Sequence, residues 1–240
     1  MTFIKKIIYY SLLIAFIICL LFATIILNNQ NKDLDKKIKL NNYYNTINKD
    51  SYKYINVVEE FQKKYNNDDI KGIINIKGLN ISSLILQGND NNYYLSHIEN
   101  KEKNIYGSLV LDYRTNLTNS KINLIYGHMS SSDITPFKQL EKYLNHDIYI
   151  NNKEIEIIDE YTTYKYEIFS IAKVPKDEYR HLNINLNDTD YINQLNWYKE
   201  ISLYKEDIEL SVNDRILILQ TCTSNSNHFI LVIAKLISSL

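Results

Sequence analysis

The sequence predicts a mainly β protein, a closed antiparallel barrel held behind one N-terminal apolar helix. Three observations carry this. Short runs rich in Ile, Leu, Val and Tyr are separated by turn-forming residues, the pattern of small β-barrels. Helical periodicity is confined to a few places. One stretch, residues 7–27, contains no charged residue. The chain has 240 residues, enough for one domain and an appendage. With 27 Lys+Arg against 28 Asp+Glu, the formal net charge is -1, which gives no footprint for nucleic acid. Only 5 Gly and 2 Pro argue against a linker-rich chain. No internal repeat and no low-complexity segment is found.

The elements follow in order. Residues 1–6 carry Lys5 and Lys6 and are read as a cytoplasmic tail. As a helix, residues 7–27 would span about 31 Å, close to the hydrocarbon thickness of a bilayer. The run exceeds the ~7–15 apolar residues of a cleaved signal, and no Ala-x-Ala site follows it. It is therefore read as a single-pass membrane anchor with the rest of the chain extracellular. Residues 28–50 are polar and form a stalk. The catalytic domain is placed at 51–240, with a helix over 51–65 on which Ile55, Val58 and Phe61 recur, capped by Asp50 or Ser51. The barrel occupies 70–240. Its strands are placed at Ile70–Ile76, Ile81–Gln87, Tyr106–Tyr113, Lys121–Tyr126, Asp147–Ile150, Glu154–Ile158, Thr162–Val174, Ile216–Leu219 and Ile230–Ile233. Thr135-Pro136 is a helix start, with Phe137, Leu140 and Leu144 on its buried face. A second helix is placed over Asp188–Leu203, inside the long connection before the last two strands.

The chemistry-bearing residues are few. Cys19 falls in the anchor, so Cys222 is the thiol of the soluble part and has no partner there for an internal disulfide. It stands where an apolar strand meets a polar loop, a place that faces a cleft. A nucleophilic thiol near pH 7 needs help, since a free Cys has a pKa of about 8.5. An imidazole supplies that help and later protonates a leaving amine. Of His97, His128, His146, His181 and His228, His128 is the candidate: it too emerges at the end of an apolar strand, after Gly127. His97, His146 and His181 are read as surface or structural. There is no Cys-x-x-Cys, no His-Glu-x-x-His, no acidic loop and no glycine-rich phosphate loop, so no metal or cofactor is expected.

These residues resemble a family. Leu219-Gln220-Thr221-Cys222 is similar to the Leu-x-Thr-Cys strand of the sortases, and Tyr126-Gly127-His128 to their histidine segment. The stretches 89–97 and 107–114 resemble segments of class B sortases. The resemblance covers roughly residues 50–240. It implies an eight-stranded barrel with an N-terminal helical extension and a helix in the connection before the Cys strand. It implies cysteine transpeptidation: Cys222 attacks a carbonyl in a C-terminal sorting motif, of Asn-Pro-x-Thr type, on a secreted protein. A peptidoglycan amine then resolves the thioester, with His128 as general acid and base. One departure stands out. Sortases carry an Arg on the strand after the Cys, and here Phe229 aligns at or beside that position, next to His228. His228 is the candidate replacement, with Arg215 or Arg180 arriving from elsewhere as the other route. The missing Arg also motivates an alternative, a binding or scaffold protein with little turnover. A papain-like peptidase fits poorly, since there the Cys starts a helix and precedes the His in sequence.

Overall fold

The computed structural model describes residues 3–47, 56–130, 135–224 and 227–240; within its first helix, side chains are described for residues 10–32, 34 and 35. The chain divides into two compact units, Met1–Leu40 and Asn41–Leu240. Helix α1 covers Phe3–Ile47. Its segment Tyr10–Lys32 has a mean hydropathy of 2.8 and exposed side chains, long and apolar enough by length and composition to cross a bilayer or to act as a signal sequence.

In the second unit, helix α2 spans Val57–Tyr65. Asn56 caps it, accepting the Glu59 N–H at 3.0 Å. Asp50 and Ser51, the expected caps, lie outside the described residues, as does Ile55. Val57, Val58 and Phe61 form the buried face.

Eight strands follow: β1 (Ile70–Ile76), β2 (Ile81–Leu86), β3 (Leu109–Leu111), β4 (Ile122–Tyr126), β5 (Glu154–Ile158), β6 (Thr163–Pro175), β7 (Ile216–Cys222) and β8 (His228–Ser239). They close in the order β1-β2-β3-β4-β7-β8-β6-β5. The barrel is mixed, not wholly antiparallel as expected. β2 pairs with β3 in parallel, and so does β4 with β7. Parallel neighbours need a crossover, and residues 87–108 and the long segment between β4 and β7 supply it. Turn signals beside each strand cannot reveal a partner so far along the chain.

Alternation sorts the side chains into two cores. Ile125, Leu217, Leu219, Ile230 and Val232 point inward with Ile74, Ile85, Ile157 and Tyr166. Ile122, Leu124, Ile216, Ile218, Leu231 and Ile233 point outward. Over the outer face lies helix α4 (Asp188–Ile201), with Tyr191, Leu195, Trp197 and Tyr198 buried. Asn187 caps α4 through the Asp190 N–H. Fully burying each such aliphatic side chain is worth roughly 1.5–3 kcal/mol, and a one-residue slip would exchange the two faces. The register is therefore firmly held, which matters for what stands at the strand ends.

Other elements differ from the sequence expectation. The run 147–150 is not a strand. It belongs to a short helix, α3 (His146–Asn151), because Asn145 accepts the N–H groups of Asp147 and Ile148 and starts a helical turn. The strand expected over 106–113 is only Leu109–Leu111, and Gly107 before it has φ +54°. The helix expected after Pro136 is a 3₁₀ helix, Pro136–Leu144, with Phe137, Leu140 and Tyr143 buried against the barrel interior. Thr135 precedes it without capping it; its hydroxyl instead lies 3.3 Å from that of Ser130.

Candidate active site

β4 and β7 run side by side in the same direction, and their register ends with Tyr126 opposite Gln220. One more ladder bond follows, the Gly127 N–H donating to the Gln220 carbonyl at 3.0 Å. The last paired residues, Tyr126 and Gln220, stand two residues before His128 and Cys222 respectively. The strands are about 5 Å apart, and both residues continue the outward-facing set of Ile122, Leu124, Ile216 and Ile218. Parallel pairing is what makes the two strands leave the barrel on the same side.

Gly127 explains the spacing in Tyr-Gly-His. It sits on the inward face, where a Cβ would stand 2.5 Å from the Phe137 ring and 2.7 Å from Leu109 Cδ2. The strand can therefore press on the core while its neighbours face outward. The His128 ring is aimed by backbone: its Nε2 donates to the Leu95 carbonyl at 2.6 Å. That assigns the proton to Nε2 and leaves Nδ1 as the basic nitrogen. Leu95 ends a 3₁₀ turn, Tyr93–Leu95. Its carbonyl can come this close to the next segment because residue 107 is Gly, where a Cβ would lie 2.3 Å from that oxygen.

Behind the histidine strand lies a buried acid. Asp112 is fully buried and accepts from Arg114 Nε and Nη2, the Tyr126 hydroxyl at 2.7 Å and the Asn91 amide at 2.9 Å. Burial pushes its carboxyl up. The hydrogen bonds from Arg114 and Tyr126 outweigh that and hold it down to about 2. The Tyr126 hydroxyl is kept protonated well above its ordinary range, by burial first and then by Asp112. This network fixes Tyr126, two residues before His128, and ties the loop at Asn91 to it.

Cys222 is half-buried and a free thiol. Beyond it, Ser224 is clamped to the 3₁₀ helix: its N–H and hydroxyl both donate to the Glu141 carboxylate. Lys138 lies 3.4 Å from the same carboxylate. Across the sheet, Cys222 pairs with Phe229. Phe229 packs with the outer core, so it occupies the face of the thiol. His228 alternates to the other face, that of Ile230 and Val232, with its Nδ1 buried and unpartnered among the described residues. The register thus does not bring His228 beside Cys222. The arginines are engaged elsewhere. Arg215 binds the carbonyls of Leu117 and Ser120 at the opposite end of β7. Arg180 lies over the Trp197 ring, 4.8 Å from its centre. Arg114 belongs to Asp112.

Several contributors had no readable signal in the sequence. Leu95 acts through a carbonyl, which any residue has. Asp112 and Asn91 lie in the stretches that resembled class B segments, but nothing there named a partner. His181, read as structural, is buried on the outer face with its Nε2 on Gln220 Oε1 at 2.8 Å. His97 stacks on Tyr93, with ring centres 4.0 Å apart, and His146 packs on Tyr204. Among the described residues no cluster of His, Cys, Asp and Glu could hold a metal ion.

Comparison with known proteins identifies the family. The model of the sortase domain matches residues 74–237. Sortase B of Staphylococcus aureus is 36% identical over 176 residues, 71% of each chain. Sortase B of Listeria monocytogenes is 34% identical over 163 residues, 68% of this chain and 66% of that one. The S. aureus sortase B–substrate complex superposes with a TM-score of 0.76 at 29% identity, covering 88% of this chain and 98% of that one. Clostridium perfringens sortase B gives 0.70 at 35% identity, covering 75% and 100%. The matched family model, two relatives more than 30% identical and the shared barrel fold show that the chain belongs to the sortase family of cysteine transpeptidases, in class B.

Proposed function

We propose that this chain is a membrane-anchored transpeptidase that cuts a C-terminal sorting motif, of Asn-Pro-x-Thr type, and transfers the protein to a peptidoglycan amine. The single observation that carries the reading is the parallel β4–β7 register, whose last pair, Tyr126 and Gln220, stands two residues before His128 and Cys222. The Cys222 thiol gives its proton to His128 Nδ1, and the thiolate adds to the scissile carbonyl carbon. The tetrahedral adduct collapses as the C–N bond breaks. His128 returns the proton to the leaving amine, and a thioester remains on Cys222. An incoming amine adds to that thioester and loses a proton to His128. The C–S bond breaks, and the thiolate is reprotonated. The Leu95 carbonyl holds the imidazole through the cycle. The S. aureus relative has been solved with substrate, and a sortase B with triglycine, which supports a peptide donor and an amine acceptor here.

The test is intact-mass detection of an acyl adduct on the full chain in detergent, offered Asn-Pro-x-Thr and Leu-Pro-x-Thr-Gly peptides. Adduct formation with one motif, abolished by Cys222→Ala, is the expected result. The second reading, a sorting-motif binder without turnover, is favoured by Phe229 at the arginine position. It requires the peptides to bind without any adduct while Cys222 still alkylates.

A further inference from the structure

Phe229 beside Cys222 leaves the carbonyl-binding face without the family's guanidinium. The backbone donors after the thiol are also taken. The Thr223 N–H donates to the His228 carbonyl at 2.9 Å, and the Ser224 N–H to Glu141 at 3.2 Å. A neutral donor does remain on this face among the described residues. Gln220 precedes Cys222 by two residues, about 7 Å along the strand, and points the same way. Its Oε1 accepts from His181 Nε2 at 2.8 Å. An amide oxygen only accepts, so that ring nitrogen carries the proton and the Gln220 NH₂ is turned the other way. The NH₂ has no protein partner among the described residues, and it is not among the polar atoms sealed from solvent.

The arrangement costs the fold something. His181 is fully buried, its Nδ1 is enclosed without a partner among the described residues, and its ring meets Phe229 edge-on at 6.2 Å. Leaving a buried polar atom unpaired is unfavourable, and an aliphatic side chain would pack there without that cost. Burial also lowers the ring's proton affinity, with Gln220 and Glu178 opposing, so the ring stays neutral with one N–H to give. The benefit of a histidine at this point is the single fixed bond to Gln220.

We propose that the Gln220 amide, aimed by His181, is the donor that holds the substrate carbonyl and its developing oxyanion where the guanidinium is absent. His181 is a positioning residue. The assignment rests on reading Cys222 as the acylated thiol, but its test needs no sorting motif. Cys222 of the full chain in detergent is treated in parallel with p-nitrophenyl acetate, whose attack develops an oxyanion, and with iodoacetamide, whose attack does not. Peptide mapping reads Cys222 apart from Cys19. Loss of one oxyanion donor costs about 100- to 1000-fold in enzymes, and with an untethered ester the ratio of acetylation to alkylation is expected to fall at least ~10-fold in Gln220→Leu. Gln220→Glu keeps an acceptor for His181 but puts a carboxylate in place of the donor, so it is expected to lower the ratio as much or more. His181→Leu should lower it in part, and His181→Gln, which retains an N–H, should restore it. Ratios unchanged in both Gln220 variants would overturn the proposal. So would a fall confined to Lys176→Met, because Lys176 Nζ lies 5.9 Å from the Phe229 ring centre and would then be the donor.

Discussion

At the residue scale, the proposed mechanism rests on two side chains, and a third, Asp112, bears on the acid stability of the fold. Cys222→Ala is expected to remove the acyl adduct, and His128→Ala to slow its formation at least ~100-fold, the usual size of a general acid–base contribution; stopped-time mass spectrometry reads both. Equal adduct rates in His128→Ala and wild type would remove the imidazole from the mechanism. Asp112 makes a separate prediction. Its carboxyl is held at about 2, against 3.8 ordinarily. A depressed folded value means stability that is present above pH ~4 and lost as pH falls through ~2, worth about 2 kcal/mol at most. Urea midpoints between pH 5 and 2 should therefore decline in wild type. They should decline less in Asp112→Asn, which starts lower because Arg114 loses its charge partner.

At the element scale, the site depends on loops pressed against the barrel. The 3₁₀ turn at Tyr93–Leu95 delivers a carbonyl to His128, and Gly107, at φ +54°, is what lets that carbonyl approach. Gly107→Ala is expected to cost about 1–3 kcal/mol through the clash and to slow acylation together with it, since the Leu95 carbonyl must move. Chemical denaturation and adduct rates on one preparation check both, and a stability loss with acylation unchanged would show that the carbonyl does not steer the ring. The Glu141 carboxylate holds Ser224, two residues past the thiol. Glu141→Ala should slow acylation while changing stability by less than about 1 kcal/mol, because the ion pair with Lys138 is partly exposed. The short helix His146–Asn151 shows how local chemistry outranks pattern: three apolar or aromatic residues in a row read as strand until the Asn145 cap is seen to bond.

At the scale of the whole molecule, the apolar helix and the barrel make separate contributions. Tyr10–Lys32 should hold the chain in the membrane fraction of an expressing cell, and removal of residues 7–27 should release it to the soluble fraction. Recovery of a shortened chain in the soluble fraction, without any deletion, would indicate a cleaved signal instead. By itself the sequence determined what depends on near neighbours: an apolar helix, mainly β strands, the syntax of Cys222 and His128 at strand ends, and a family resemblance carried by short motifs. Alternation of apolar residues is a local property, and it can be read wherever one face of a strand is buried. Only the tertiary structure decided which strands are neighbours. It put β4 beside β7 in parallel, with the last pair, Tyr126 and Gln220, two residues before His128 and Cys222. It set Phe229 on the thiol's face and turned His228 to the other, and it closed His181 over Gln220. Those facts depend on register between segments up to about a hundred residues apart. Such register is set by the closure of the barrel and the burial of both its faces, and no stretch of sequence taken alone contains it.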